Sequence, residues 1–175
     1  ELANRLSDVL QRFDAAGLKL RKDKCKFGVS SIEFLGFKLD SSEIRPSPSK
    51  LEAINDAAPP YDKKQLQSFL GLLNFYHSFL PHKATIAEPL HRLLDKNVRW
   101  AWGKEQQFAF ETLKQLITSD RVLVHFDEKL PVFVVCDASP YGIGAVLSHR
   151  MPDGSEKPIA FYSRTLSKTE RNYAQ

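Results

Sequence analysis

The order of apolar and polar positions predicts short strands mixed with amphipathic helices. In the first third of the chain, apolar residues recur at helical spacing over residues 1–16, and Gly17 stands where this helix should end. The apolar stretches that follow are short. They predict a strand at 18–20 and a hairpin of two further strands, 25–29 and 32–40, separated by two serines.

The middle of the chain is predicted to be helical, and one of its helices has two different stripes. This helix starts at Asp62 and Gln65, which form a pattern like a capping box, and it ends before Pro81. At 100° per residue, the stripe that should face the core contains Leu66, Phe69, Leu70, Leu73 and His77. The neighbouring stripe points away from the core and contains Gln67, Gly71, Asn74, Phe75 and Ser78.

Gly71 and Phe75 are unexpected on an outward-facing stripe. A glycine inside a helix costs about 1 kcal/mol relative to alanine, and an exposed phenylalanine forgoes burial worth roughly 1.5–3 kcal/mol. Two explanations fit these residues equally well. Either another helix packs against the stripe, because glycine lets two backbones approach closely, or the stripe contacts a ligand.

Two more helices are predicted at 84–94 and 105–117, and the segment between them contains Trp100 and Trp102. Two tryptophans beside basic residues could stack on bases, but paired aromatic side chains between helices more often fill a core. An apolar strand is predicted at 122–126.

The clearest strand signal is the apolar run from Val132 to Cys136, which ends at Asp137. The run is rich in β-branched residues and nearly unbroken, as in a strand that is buried on both faces. A carboxylate at the end of such a strand is costly to desolvate, so it needs a cation, a metal ion or several donors. Alternatively, Asp137 opens the turn that Ser139 and Pro140 continue. A second strand is predicted at residues 143–148.

Several motifs, in this order along the chain, resemble the Pol polyprotein of gypsy-type LTR retrotransposons. The segment Asp137-Ala138-Ser139, followed by residues 141–147 and 158–164, resembles the start of the family's ribonuclease H domain. The end of the reverse-transcriptase palm is resembled by Phe34, Leu35, Gly36 and Phe37. The thumb helix is resembled by Gln67, Gly71 and Phe75. The resemblance implies an α+β fragment that comprises the end of the palm (1–45), thumb-like helices (46–81), a connection (82–126) and the start of an RNase H-like domain (127–175).

The resemblance also implies a function, that of a reverse transcriptase with ribonuclease H activity. Residues 34–37 would lie in the hairpin that steadies the primer's 3′ end, and Gln67, Gly71 and Phe75 would follow the minor groove of the template–primer duplex. Asp137 would be a catalytic carboxylate and a ligand of Mg²⁺, which the family uses in a two-metal phosphoryl transfer on RNA:DNA hybrids. Other implied partners are the rest of the Pol polyprotein: the protease, palm and fingers, the remaining RNase H segment and the integrase.

The chain lacks most of the carboxylates that this chemistry needs. It contains no Asp-Asp pair, and Glu170 stands three residues after Ser167, which marks it as a helix cap and not as a metal ligand. One carboxylate cannot hold two magnesium ions, so we expect the isolated chain to be inactive. We also expect both ends to be truncated, since no cap precedes the helix at Glu1 and the helix that starts at Ser167 does not end before Gln175.

Composition changes this picture little. The net charge of +4 is compatible with a polyanionic partner without being diagnostic, and a basic cluster at 21–26 is more typical of a solvated edge than of a phosphate site. Cys25 and Cys136 are too few and too far apart for a disulfide framework. No apolar run approaches about 20 residues, so no membrane partner is expected. The resemblance implies a cytoplasmic location within virus-like particles.

Two alternative functions stay open at this point. A decayed element would keep the duplex-binding surface and lose its chemistry, which would leave a non-catalytic nucleic-acid-binding remnant. A phosphate-handling ATPase shares the order strand, aspartate, turn, strand, but it needs a glycine-rich phosphate loop, and Ser139-Pro140 is a poor substitute for one.

Overall fold

A computed structural model of the chain describes residues 1–119 and 121–172, which form two compact units. The first unit is residues 1–32, and the second begins at Glu33. In the first unit, helix α1 (Leu2–Ala15) ends as predicted at Gly17, which has a φ of 69°. The Gly17 amide donates to the Asp14 carbonyl and the next amide donates to Phe13, which is the Schellman pattern of helix termination. No residue of α1 is buried.

The strands predicted at 18–20 and 25–29 are wrong. This segment contains a 3₁₀ turn, Lys22–Lys24, and otherwise irregular backbone. Local bonds replace a strand ladder, since the Arg21 side chain binds Asp23 and the Cys25 amide donates to the Lys22 carbonyl. Gly28 has a φ of 64°, a left-handed conformation that interrupts an extended strand.

The predicted strand 32–40 is in fact two strands of a hairpin. They are β1 (Ser31–Phe34), which crosses the boundary between the two units, and β2 (Phe37–Asp40). Between them, Leu35 and Gly36 have φ values of 48° and 80°. Two consecutive positive φ values are the geometry of a type I′ turn, whose twist suits a two-residue hairpin. The turn, at Leu35-Gly36, therefore lies five residues later than the Ser30-Ser31 pair that the sequence pattern favoured.

A first sheet continues from this hairpin in the order β1-β2-β3-β4. Strand β3 (Glu43–Pro46) pairs antiparallel with β2, and β4 (Leu123–Val124) pairs antiparallel with β3. β4 confirms the strand predicted at 122–126, although it is shorter. The turn between β2 and β3 is held by the Asp40 carboxylate, which accepts from the backbone amides of Ser42 and Glu43, and these bonds lower the pKa of Asp40.

Five helices pack around the main core of the second unit. They are α2 (Pro48–Asn55), α3 (Lys63–Phe75), α4 (Lys83–Ile86), α5 (Glu88–Leu93) and α6 (Lys104–Thr118). The single helix predicted at 84–94 is divided into α4 and α5, because Pro89 starts a new helix in its first turn. The largest buried side chains of this core are Ile54, Leu66, Phe69, Leu73, Tyr76, Phe79, Leu80, Leu90, Leu93, Phe110, Leu113, Ile117 and Leu123.

The two tryptophans are half-buried and pack against this core. Trp100 and Trp102 stack on each other with ring centroids 5.8 Å apart, and Trp102 meets Phe110 edge-on at 5.9 Å. The indole N–H of Trp102 donates to the Gln107 side chain over 2.7 Å. The prediction that this pair fills a core is therefore confirmed.

A second, antiparallel sheet has the order β5-β6-β7. Its strands are β5 (Val132–Ala138), β6 (Gly142–Arg150) and β7 (Glu156–Thr165). The prediction that β5 is buried on both faces is wrong, since Val134 is 59% exposed and Val135 is 52% exposed. Within the described part of the chain, β5 is an edge strand that pairs only with β6, so its apolar side chains lack cover. No described helix is long and apolar enough to cross a membrane.

Candidate nucleic-acid interface

The hairpin between β1 and β2 presents an exposed apolar tip. Phe34 is 57% exposed and Leu35 is 70% exposed, whereas Phe37 is half-buried and turns toward the core. We call residues 34–37 the hairpin tip. Large apolar side chains at this level of exposure lose the free energy of burial, so the tip is suited to a partner that covers it.

Phe75 joins the hairpin tip to helix α3. Its ring stacks on Phe37 with centroids 5.2 Å apart and an interplanar angle of 19°, and the side chain is still 51% exposed. Two groups of residues that lie about 40 positions apart in the sequence thus form one surface. The family resemblance pointed to both groups but not to their contact, because helical and strand periodicities describe each element separately.

The tip is anchored through the carbonyl of Gly36. This oxygen accepts a hydrogen bond from the Tyr76 hydroxyl over 3.1 Å and another from the Ser47 amide over 2.8 Å. Tyr76 was missed by the sequence analysis. A signal for it exists, since Tyr76 lies three residues beyond Leu73 and so continues the buried stripe, and a buried tyrosine hydroxyl needs a polar partner.

No helix packs against the middle of the outward stripe, at Gln67 and Gly71, among the described residues. Gln67, Gly71 and Phe75 are exposed, and no described atom lies within 4 Å of the position that a Cβ on Gly71 would take. The explanation in which a second helix packs against Gly71 therefore fails for the described chain. The inward stripe is confirmed by the burial of Leu66, Phe69 and Leu73.

His77 was predicted to belong to the inward stripe, and this is wrong. α3 ends at Phe75, and a 3₁₀ turn over His77–Phe79 rotates His77 to the surface. On the outward stripe, Asn74 accepts a hydrogen bond from the Lys83 ammonium group over 3.0 Å, and burial lowers the pKa of Lys83.

Asp137 is an exposed carboxylate without a protein partner in the described part of the chain. It lies in β5 directly opposite Gly144 of β6. It borders a pocket of about 260 Å³ that is also lined by Pro81, His82 and Tyr162. No ion pair or hydrogen bond joins its side chain to any described residue, so it is available to a ligand.

The turn after β5 is made by Ser139 and not by Asp137. The Ser139 hydroxyl accepts from the Gly142 amide over 3.0 Å, and the Ser139 amide donates to the Gly142 carbonyl over 2.8 Å. Asp137 is a regular strand residue that takes no part in these bonds. The alternative in which Asp137 exists to open the turn is therefore wrong.

The described residues supply only part of a metal site. An exposed carboxylate is a suitable oxygen ligand for divalent metal ions. However, no group of three or more His, Cys, Asp or Glu side chains among the described residues is arranged to hold a metal ion. Asp137 therefore fits as one ligand, and the remaining ligands are not found in this part of the molecule.

Short polar contacts join helix α4 to the sheet that contains Asp137. The Thr85 hydroxyl lies 2.9 Å from the Ser139 hydroxyl, and the Ala84 amide donates to the Ser163 hydroxyl over 3.1 Å. Gly142 allows this approach, since a Cβ there would lie 2.9 Å from the Arg164 carbonyl oxygen and 3.2 Å from the Ala84 Cβ. These contacts hold α4 against β6 and β7.

Glu170 acts as a cap, as the sequence predicts. Its carboxylate accepts from the Ser167 amide over 2.8 Å, while its own amide donates to the Ser167 hydroxyl over 3.3 Å. Arg164 also donates to both carboxylate oxygens of Glu170, over 2.9 and 2.6 Å. The bonds from Arg164 and then from Ser167 lower the pKa of Glu170 to about 2. The described residues form a 3₁₀ turn here, Glu170–Asn172. The prediction that the helix does not end before Gln175 concerns residues 173–175, which lie outside the described residues.

Comparison with known proteins finds relatives along nearly the whole chain. Residues 102–175 match the RNase H-like domain found in reverse transcriptase. Over 174 residues, 99% of its length, the chain is 34% identical to the Tf2-3 and Tf2-4 transposon polyproteins of Schizosaccharomyces pombe. The chain is a relative of gypsy-type LTR-retrotransposon polyproteins in their reverse transcriptase and ribonuclease H region. It spans 13% of the length of these gypsy-type polyproteins.

Solved structures of reverse transcriptases share this fold. The foamy viral protease–reverse transcriptase in complex with an RNA/DNA hybrid matches 99% of this chain with a TM-score of 0.80 and 25% identity, and the match covers 24% of the viral chain. The same viral protein in complex with dsDNA matches 83% of the chain with a TM-score of 0.70 and 26% identity, covering 30% of the viral chain. The α+β fold class and the family predicted from the sequence are therefore confirmed.

Proposed function

We propose that this chain is the part of a gypsy-type reverse transcriptase that grips a nucleic-acid duplex and contributes the first carboxylate of the ribonuclease H site. The parent enzyme would copy RNA into DNA and cleave the RNA strand of the hybrid. The observation that carries this proposal is the stacking of Phe37 on Phe75, which unites the hairpin tip and the outward stripe of α3 in one exposed surface. The similarity to a viral reverse transcriptase bound to an RNA/DNA hybrid supports it.

The shape of this surface suits the minor groove of a duplex. Gly71 lacks a side chain and has open space in front of it, so the α3 backbone can approach a sugar-phosphate strand. Gln67 offers an amide that can both donate and accept, which matches the acceptors on base edges in the minor groove. Phe34, Leu35 and Phe75 supply apolar contact to sugars and base edges, a sequence-tolerant mode of binding.

Asp137 would serve the ribonuclease reaction in the complete enzyme. There it would provide one oxygen ligand for Mg²⁺, and carboxylates from other parts of the polyprotein would provide the rest. The bound ions would stabilise the attacking and leaving oxygens of an in-line displacement. We expect the isolated chain to be inactive. Metal-dependent cleavage of an RNA:DNA hybrid by the purified chain, lost in Asp137→Asn, would contradict this expectation.

The other expected partners and the location follow from the same proposal. The protease, the palm and fingers, the remaining RNase H segment and the integrase would belong to the same polyprotein, and reverse transcription would take place in cytoplasmic virus-like particles. These assignments depend on the resemblance to the family and not on a feature of the described residues.

The test of the proposed function is duplex binding by the 175-residue chain. A fluorescent DNA template–primer and a labelled RNA:DNA hybrid are titrated with the wild-type chain and with Gly71→Leu, and anisotropy reports binding. We expect Gly71→Leu to weaken both affinities at least about fivefold, since a side chain forced into a packed contact costs roughly 1–3 kcal/mol. Gln115→Leu, an exposed position of α6, is the matched control and should bind like the wild type. Equal affinities for all three proteins would refute the proposal.

A further inference from the structure

Two donors from different parts of the chain converge on the Gly36 carbonyl. One is the hydroxyl of Tyr76, immediately after α3, and the other is the amide of Ser47, between β3 and α2. A carbonyl oxygen has two lone pairs, so both acceptor sites of Gly36 are used. The turn is therefore tied to the helical core from two directions.

The turn needs such support because its backbone is strained. Leu35 has a φ of 48°, a left-handed conformation that a branched apolar residue rarely adopts. Such conformations persist only where the surroundings hold them, and they occur most often at functional sites. Gly36 and Tyr76 are also matched in shape, since a Cβ on residue 36 would lie 3.0 Å from the Tyr76 hydroxyl oxygen.

The Tyr76 ring contacts both halves of the exposed surface. It meets Phe75 edge-on at 4.9 Å and Phe37 edge-on at 5.4 Å. Tyr76 is 1% exposed, so water cannot replace the Gly36 carbonyl as the partner of its hydroxyl. Burial also raises the pKa of Tyr76, which keeps the hydroxyl protonated and able to donate.

We propose that Tyr76 is a positioning residue: its hydroxyl fixes the Leu35-Gly36 turn so that the hairpin tip and Phe75 meet a duplex as one preformed surface. This role rests on the proposed function, and it adds a buried residue that touches no nucleic acid. Without the hydroxyl, the Gly36 carbonyl keeps only the Ser47 amide. The strained turn at Leu35 can then relax, and ordering it again on binding weakens the affinity.

The test is a double-mutant cycle in the full 175-residue chain. Tyr76→Phe keeps the ring and removes only the hydroxyl, and we expect it to weaken binding of a labelled DNA template–primer about fivefold, the factor that one net hydrogen bond corresponds to. In a Phe34→Ala background, where the contact of the tip is already reduced, the same change should weaken binding less than about twofold, since the two residues act through one contact.

Two controls separate positioning from a general loss of stability. Ile117→Val removes a buried methyl group from the same core, and Tyr61→Phe removes an exposed hydroxyl. Neither should change the affinity. In the unbound chain, the Ser47 amide should exchange its hydrogen faster in Tyr76→Phe than in Ile117→Val, because the turn that accepts its bond has become mobile. Gly36→Ala offers a second route, since its methyl group would displace the Tyr76 hydroxyl, and it should reproduce the loss of affinity.

The outcomes distinguish this role from the proposed function. If the wild-type chain binds no duplex, the proposed function is wrong and the role of Tyr76 is wrong with it. The positioning role alone is overturned if the wild type binds but Tyr76→Phe does not change the affinity. It is also overturned if Tyr76→Phe weakens binding equally in the wild-type and the Phe34→Ala backgrounds. Unchanged exchange of the Ser47 amide would overturn it as well.

Discussion

Replacing Gly71 by alanine should stabilise the fold and weaken duplex binding at the same time. Gly71 lies in the interior of α3, and a Cβ at this position would meet no described atom within 4 Å. The methyl group therefore causes no clash in the free protein. Alanine is favoured over glycine in a helix interior by about 0.8–1.0 kcal/mol, so the free energy of unfolding should rise by about 1 kcal/mol. For a chain of this size, that corresponds to an increase in Tm of roughly 2–4 °C.

The same methyl group should interfere with a strand of nucleic acid that approaches the helix backbone. We expect Kd for a template–primer duplex to rise about fivefold, which corresponds to about 1 kcal/mol. Thermal unfolding followed by circular dichroism gives the first quantity, and fluorescence anisotropy with labelled duplex gives the second. Gln115→Ala on α6 is the control, since it also improves helix propensity at an exposed position but lies outside the proposed surface.

Opposite signs for stability and affinity are the result that the structure predicts. If Gly71→Ala lowers Tm, an unseen packing contact covers the glycine, and the stripe is a packing face. If Tm rises and the affinity is unchanged, the helix is free but does not approach the duplex. Either result would refute the argument that Gly71 exists to admit a nucleic-acid strand.

Two further predictions concern the second sheet. Gly142→Ala should lower the free energy of unfolding by roughly 1–3 kcal/mol. The reason is that the new Cβ would lie 2.9 Å from the Arg164 carbonyl oxygen, which belongs to backbone and cannot move aside cheaply. Gly154→Ala, which has open space but a φ of 82°, serves as a comparison for backbone strain. The capping interaction of Glu170, whose pKa is lowered to about 2 by Arg164 and Ser167, should be fully present above the ordinary pKa of 4.5 and be lost as the pH falls through about 2. An NMR titration of the Ser167 amide should therefore show its transition near pH 2, and Glu170→Gln should abolish that transition; a midpoint near 4.5 would contradict the bonded geometry.

Local patterns in the sequence correctly predicted features whose physics is local. Gly17 ends α1, Asp62 caps α3 by accepting from the Gln65 amide, and Ser167 with Glu170 forms a reciprocal cap. Each depends on a few neighbouring residues, since unpaired backbone groups at a helix end must find partners nearby. The division of α3 into an inward and an outward stripe belongs to the same class, because helical geometry alone determines it.

The predictions from the sequence were wrong where the local pattern of a segment fits more than one backbone conformation or environment. Ser30-Ser31 and Leu35-Gly36 are both two-residue separations between apolar runs, and only Gly36 readily takes the positive φ that a type I′ turn needs. The apolar run of β5 predicted burial, but burial depends on which elements lie against a strand, and the described chain places β5 at a sheet edge. His77 continued a helical pattern beyond the point where α3 ends.

The sequence by itself pointed to the family resemblance, the α+β class, the end of α1 and the identity of the exposed residues on α3. Those properties depend on composition and short-range periodicity, which a single chain carries in full. Only the tertiary structure showed that Phe75 stacks on the hairpin tip, that Tyr76 holds the Gly36 carbonyl, and that Asp137 is left without a protein partner among the described residues. These facts depend on which distant segments meet, and hydrophobic periodicity leaves that choice open because any two apolar faces of similar size can bury each other.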